Sequence, residues 1–156
     1  CYFERLFFKL DENQNGKISE EECTLLLSFC ALNMDADERS TSFQRADIVA
    51  DDYAFNDDIW FQPTPGHTPG HVSILLNSGG DKAVISGDVM HTPVQCRETC
   101  WSAVGCSDRG LSAKTRHAFL DQYCETDTLV MTSHFPSPSV GHIRRDGSAF
   151  KFVFKE

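Results

Sequence analysis

Apolar residues at the start of the chain recur at the spacing of an amphipathic helix. Residues 3–10 and 20–32 both show this spacing, and the segment between them, residues 11–19, is polar. The pattern predicts a helix–loop–helix unit over residues 1–32. Residues 33–45 are rich in acidic residues, serine and threonine. That composition is typical of a linker, so we place a domain boundary there.

From residue 46 onward, the pattern changes to short apolar runs typical of β-strands. Residues 59–62 predict a strand that stops at Pro63. Residues 72–76 and 83–86 predict an antiparallel hairpin, because a glycine-containing turn joins them. The chain as a whole is therefore predicted to be α+β. The remaining predicted elements are a long loop over residues 92–111, a helix from Ser112 to Tyr123 that Ser112 caps, a strand over residues 128–132, and a hairpin that turns at Asp146 and Gly147.

The polar loop between the first two helices has the composition of a calcium site. Calcium takes oxygen ligands from alternate positions of a twelve-residue loop that ends in a chelating glutamate, with a glycine at its sharp turn. Gly16 occupies that turn, and Ile18 is the apolar position that packs against a partner loop. The predicted Ca²⁺ ligands are Asp11, Asn13, Asn15, Lys17 through its backbone carbonyl, Ser19 and Glu22.

This loop and its flanking helices resemble an EF-hand, and the alternative is an acidic connection between two helices. Such loops normally work in pairs, and no second one follows in the sequence. Calcium ion is the expected partner. A second EF-hand is expected from a segment before Cys1 or from another chain.

The formal net charge of −9 lies entirely in the front third of the chain. Residues 1–58 hold 14 Asp and Glu against 5 Lys and Arg, whereas residues 59–156 hold 9 of each. This distribution argues against nucleic acid as a partner, since phosphates need a basic surface. No apolar run is long enough to span a bilayer. Because the chain begins with Cys1, we expect a fragment or processed product, and the compartment stays open with the cytoplasm slightly favoured.

The seven cysteines do not form a zinc-binding pattern. Cys96, Cys100 and Cys106 form the only cluster, and it lacks the paired Cys-x2-Cys spacing of structural zinc sites. We predict free thiols in a loop, with a local disulfide as the alternative.

Histidine and aspartate residues follow the predicted strands of the second domain. Antiparallel pairing brings the start of the first hairpin strand level with the end of the second, so His67 and His71 are expected near Asp88. His134 follows a separate buried strand. Imidazole nitrogen and carboxylate oxygen are the ligands that zinc and related metals prefer. We therefore predict a zinc-type site with His67, Asp88 and His134.

The other histidines have different expected roles. His71 is predicted to support the ligands without binding the metal, because His67 already takes the ligand position in this segment. His91 is predicted to support the same pocket, and facing the surface is an equal alternative. His117 is expected to be exposed, and the role of His142 stays open.

Three segments of the second domain carry a family resemblance: Thr64-Pro-Gly-His-Thr-Pro-Gly-His71, Ile85-Ser-Gly-Asp88-Val-Met-His91 and Ser133-His-Phe-Pro-Ser-Pro-Ser-Val-Gly-His-Ile143. Through them, residues 46–156 resemble the C-terminal half of a metallo-β-lactamase-fold hydrolase, of the branch that contains methyl parathion hydrolase and lactonase-like enzymes. The resemblance implies an αββα sandwich and hydrolysis by a metal-activated water. It implies His67 and His134 as metal ligands, and Asp88 as the catalytic carboxylate that bridges two metals.

The chain lacks the His-x-His-x-Asp-His motif that supplies the other ligands in that family. An EF-hand-like unit stands where the N-terminal half should be. We therefore expect a half-sandwich whose inner sheet face is exposed and favours association. The missing ligands would come from another segment or chain.

Two functions follow from these patterns. The first is a zinc-dependent hydrolase of lactones, phosphotriesters or other esters that is catalytically incomplete as given. The alternative is a non-catalytic calcium-binding protein that carries a degenerate hydrolase half-domain.

Overall fold

A computed structural model of the chain describes residues 49–156. The predicted helix–loop–helix unit, the linker and the start of the second domain lie outside this range. All six predicted calcium ligands are therefore outside the described residues: Asp11, Asn13, Asn15, Lys17, Ser19 and Glu22.

The described residues form a mixed α+β structure built on one six-stranded sheet. Its strands follow chain order across the sheet, and every neighbouring pair is antiparallel except β3 and β4, which are parallel. The strands are β1 Ile59–Pro63, β2 Val72–Ser78, β3 Asp81–Ile85, β4 Leu129–Met131, β5 Val140–Asp146 and β6 Ala149–Phe154.

The two predicted hairpins are both present. β2 and β3 pair in the register Leu75 opposite Val84, and β5 and β6 pair around the turn after Asp146. The parallel pairing of β3 with β4 needs a crossover, and residues 86–128 provide it. This crossover contains the helices, so the ends of β3 and β4 lie side by side at one edge of the sheet.

The helices lie in that crossover, and their bounds differ from the sequence prediction. α1 is the short helix Val94–Arg97, inside the segment predicted as a loop. α2 spans Arg109–Tyr123 and begins before Ser112, because the Asp108 side chain caps it by accepting a hydrogen bond from the Leu111 N–H at 2.8 Å. Within residues 49–156, no helix has the length and apolar character needed to cross a membrane.

The hydrophobic core lies between α2 and one face of the sheet. Phe119 and Tyr123 are four residues apart on α2, and both are buried, with ring centroids 4.7 Å apart. The register of β3 and β4 places Val84 opposite Val130, on the sheet face that packs against Phe119 and Tyr123. The buried core residues are Val84, Val89, Met90, Cys96, Phe119, Leu120, Tyr123, Val130, Phe135, Ile143 and Phe150.

The opposite face of the sheet carries an apolar row. Successive strand pairings align Phe61, Ile74, Ile85, Met131 and Val140 across five strands. Each of these side chains is partly exposed. Their alternation with core residues follows from the two-residue period of β-strands. This row lies on the face for which the sequence predicted a missing second sheet, and association through it stays a prediction.

Candidate metal centre

The centre is built at the edge of the sheet where β3 ends. A 3-10 turn, Gly87–Val89, follows β3 directly and carries Asp88. The loop between β1 and β2 carries His67 and His71, and the loop after β4 carries His134. The predicted proximity of these residues is therefore confirmed.

Asp88 presents one carboxylate oxygen to each of two imidazoles. Its Oδ1 lies 2.7 Å from His134 Nε2, and its Oδ2 lies 3.4 Å from His67 Nε2. The side chains of His67, Asp88 and His134 are 4%, 14% and 36% exposed. The pocket is therefore closed at His67 and open at His134, so a ligand would enter from the His134 side.

His71 holds the backbone of Asp88. Its Nε2 accepts a hydrogen bond from the Asp88 backbone N–H at 2.8 Å, and its Nδ1 lies 3.0 Å from the Thr64 carbonyl oxygen. Because a backbone N–H can only donate, Nε2 is the unprotonated nitrogen, and Nδ1–H donates to Thr64. Burial lowers the pKa of His71. Gly87 has a φ of +54°, and a Cβ there would lie 2.7 Å from His71 Nε2, so this contact requires glycine.

His91 faces the pocket, which settles the alternative that the sequence left open. Its ring centroid lies 4.9 Å from those of both His67 and His134. Its backbone N–H donates to Gln95 Oε1 at 2.6 Å, which ties it to α1. Burial, followed by the nearby His67, lowers the pKa of His91 to about 4, so the ring is neutral near pH 7.

The remaining histidines lie away from Asp88. His117 is exposed on α2, as predicted, and its ring packs against Phe150. His142 lies on β5.

Cys106 is a contact of His67 that the sequence analysis missed. Its thiol sulfur lies 3.4 Å from His67 Nδ1 and 3.5 Å from Ser112 Oγ, and all three side chains are buried. If His67 binds a metal through Nε2, its Nδ1 carries the proton and donates it towards this sulfur. The four described cysteines, Cys96, Cys100, Cys106 and Cys124, are free thiols, as predicted.

Arg116 is the second residue that the sequence analysis missed. Its side chain is fully buried, and its guanidinium donates to the carbonyl oxygens of Val89, Thr99 and Trp101 and to Ser112 Oγ, at 2.7–3.0 Å. It thereby ties the turn that carries Asp88 to the loop after α1. One signal was available: position 116 falls on the apolar stripe of α2, where a charged residue must find buried partners.

Replacing Arg116 with methionine is expected to lower the free energy of unfolding by about 3 kcal/mol, because buried carbonyl oxygens lose their donor. Urea denaturation would measure this change. Arg109→Met, on the exposed first turn of the same helix, is the matched control and should have little effect. Equal stability of the two variants would show that Arg116 does not tie these segments together.

The donor set fits a divalent transition metal. Nitrogen and oxygen ligands of a tetrahedral zinc ion, with bonds of ~2.1 Å, lie ~3.4 Å apart. The distance between His67 Nε2 and Asp88 Oδ2 is 3.4 Å. His67, Asp88 and His91 each offer a ligand atom, and these atoms lie within 4.8 Å of one another. The described residues can therefore hold such an ion with small side-chain movements.

No protein-family model and no curated protein sequence matches the chain. Several solved structures resemble it. The hydrolase AbOPH of the beta lactamase superfamily is 28% identical, with a TM-score of 0.59 over 67% of this chain and 38% of its own. AidC, a dizinc quorum-quenching lactonase, is 21% identical, with a TM-score of 0.70 over 97% of this chain and 52% of its own. An N-acyl homoserine lactone hydrolase is 18% identical, with a TM-score of 0.50 over 59% and 36%.

The chain thus spans about half the length of these solved structures, or less. All three are hydrolases, and the two lactonases are similar at the level of fold. Together with the six-stranded sheet and the His–Asp cluster at its edge, they show that the described residues form part of a metallo-β-lactamase fold.

Proposed function

We propose that this chain is a divalent-metal-binding part of a metallo-β-lactamase-superfamily hydrolase that acts on lactones, phosphotriesters or other esters. The observation that carries the proposal is the placement of Asp88, which offers one oxygen to His67 and the other to His134. A partly buried carboxylate between imidazoles is a donor arrangement that suits zinc and related ions. AbOPH and the lactonases support the reaction class.

The residues of this chain would have distinct roles. His67, Asp88 and His134 would hold the metal, with Asp88 as the catalytic carboxylate shared between the two histidines. His71 keeps Asp88 in place through its backbone N–H, and the Cys106 thiol orients the His67 ring. When bound, a metal of this kind lowers the pKa of water and polarises the bond to be cleaved. The exposed His134 lies where an ester group could reach Asp88.

We also propose that the chain is catalytically incomplete by itself. All six of its histidines lie between residues 67 and 142, and none belongs to a His-x-His-x-Asp-His motif. A second metal would therefore need ligands from another segment or another chain. The same missing half would cover the apolar row on the open face of the sheet.

The test combines metal uptake with hydrolysis. The purified chain should take up zinc at this centre, as elemental analysis after dialysis would show, and should cleave acyl-homoserine lactones or paraoxon poorly or not at all. Absence of zinc at the centre would contradict the metal proposal. Turnover equal to that of complete relatives, abolished by a chelator, would contradict the proposed incompleteness.

Calcium binding is the second candidate function, and the Asp11–Glu22 sequence carries it. Replacing Glu22 with glutamine should weaken Ca²⁺ binding by at least ~10-fold, because the closing glutamate supplies two of the ligand oxygens. Titration calorimetry would measure the change, and Glu20→Gln, inside the loop but at a non-ligand position, is the control. Equal calcium affinity of Glu22→Gln and the unmodified chain would rule out this loop as the site.

A further inference from the structure

His91 takes a central place among the donors of the candidate centre. It lies three residues after Asp88, and its ring stands between the rings of His67 and His134, nearly parallel to the second of these. Gln95 fixes its position, since the Gln95 side-chain oxygen accepts from the His91 backbone N–H and its Nε2 donates to the Trp101 carbonyl at 2.6 Å. These contacts fix the backbone of His91 beside the pocket.

One ring nitrogen of His91 is buried without a hydrogen-bond partner. Its Nδ1 is buried and makes no hydrogen bond, and among the described residues it is the one buried side-chain nitrogen or oxygen without a partner. Native proteins rarely leave such an atom unpaired without a reason, and an absent ion is one of the common reasons. By contrast, both ring nitrogens of His71 are already engaged.

All six histidines of the chain lie within the described residues, so each can be examined as a possible metal ligand. Of the six, His71 holds the Asp88 backbone, His117 is exposed on α2 and His142 lies on β5. Three imidazoles remain around one carboxylate. His67 and one oxygen of Asp88 alone would give an ion on that side only two protein ligands, which is fewer than the three typical of catalytic zinc sites.

We propose that His91 is a direct metal ligand, so that His67, Asp88 and His91 hold one divalent transition-metal ion while His134 contacts the other oxygen of Asp88. This inference rests on the proposed function and refines the ligand set of the same centre, with His91 in place of His134 as the third protein ligand of this ion. It also replaces the supporting role that the sequence predicted for His91. Two imidazoles and one carboxylate are a recurrent set for such ions and leave positions open for water or substrate.

The experiment compares zinc and cobalt binding by the full chain with that of His91→Ala, with calcium in excess and thiols reduced. His117→Ala is the matched control, since it removes an exposed histidine outside the centre. We expect His91→Ala to weaken zinc binding by on the order of 100-fold or more, since loss of a contact behind a ligand already costs 10–100-fold. The X-ray absorption of bound zinc should lose about one imidazole, and the visible bands of bound cobalt should shift. The control should change none of these.

The outcomes separate this inference from the proposed function. Zinc affinity within about 3-fold of the unmodified chain, with an unchanged imidazole count, would overturn the ligand role of His91. If Asp88→Ala lost zinc at the same time, the metal centre itself would stand. If the unmodified chain took up no zinc at this centre, both would fall. Should His91→Ala not fold, as judged by circular dichroism, His91→Gln provides the same comparison with a side chain closer in size.

Discussion

Replacing Asp88 with alanine is expected to abolish zinc uptake at this centre. The two carboxylate oxygens contact His67 and His134, so the substitution removes the carboxylate that the described residues place among these rings. Neutral imidazoles bind a divalent ion less tightly when no carboxylate shares its charge. The loss in affinity should exceed the 10–100-fold that follows removal of a residue merely supporting a ligand.

Elemental analysis after dialysis and competition with a chromogenic chelator would measure this loss. Asp127→Ala, on the exposed surface after α2, is the matched control and should keep the zinc content of the unmodified chain. Asp88→Asn adds a second comparison, because it keeps the shape of the side chain and removes its charge. Full zinc content in either Asp88 variant would show that the metal is held elsewhere.

Replacing Gly66 with alanine is expected to destabilise the chain strongly. Gly66 has a φ of +127°, and a Cβ at this position would lie 2.3 Å from the backbone nitrogen of Ser112 in α2. Backbone strain costs about 1–3 kcal/mol and a forced clash about as much again. The clash is with backbone, so a side-chain rotation cannot relieve it.

The measured result should be a fall of about 3 kcal/mol or more in the free energy of unfolding in urea. Gly79→Ala is the control, since Gly79 also has a positive φ, +61°, but no atom within 4 Å of a Cβ. It should cost only about 1–2 kcal/mol. Equal losses would mean that the loop carrying His67 is not held tightly against α2.

Gly66 also connects the stability of the fold to the position of the proposed metal ligand His67. The Gly66 carbonyl accepts from the Asp108 N–H at 3.0 Å, and the His67 carbonyl accepts from the Ser107 N–H at 2.8 Å. Thr115 Oγ1 donates to the Pro65 carbonyl at 2.6 Å. Displacing Gly66 would move His67 with it. The Gly66→Ala variant should therefore lose zinc as well as stability, whereas Gly79→Ala should keep its zinc.

Local patterns in the sequence predicted much of the described fold. Short apolar runs and glycine-containing turns predicted the β2–β3 and β5–β6 hairpins within a few residues, because strand pairing across a short turn depends on neighbouring residues. The antiparallel pairing of the first hairpin also predicted that His67 and His71 lie near Asp88. The start of α2 was misplaced by three residues, because Asp108 competes with Ser112 as a cap and the sequence does not rank them.

The supporting contacts could not be predicted in this way. Arg116, Cys106 and Ser112 meet the centre only because the crossover brings α2 over the loop that carries His67. The position of the His91 backbone depends on its hydrogen bond to Gln95 in α1, a helix too short to leave a periodic pattern. Each of these contacts depends on tertiary packing, which local patterns in the sequence do not specify.

The sequence alone determined which chemical groups this chain can offer. These are an acidic, oxygen-rich loop near its N-terminus, and several imidazoles and the Asp88 carboxylate in the loops that adjoin strands of the second domain. These follow from residue type and short-range spacing, which are properties of the chain before it folds. The tertiary structure decided which of those groups meet. Asp88 lies between His67, His91 and His134 because the parallel β3–β4 pairing, a contact between distant segments, brings separate loops to one edge of the sheet.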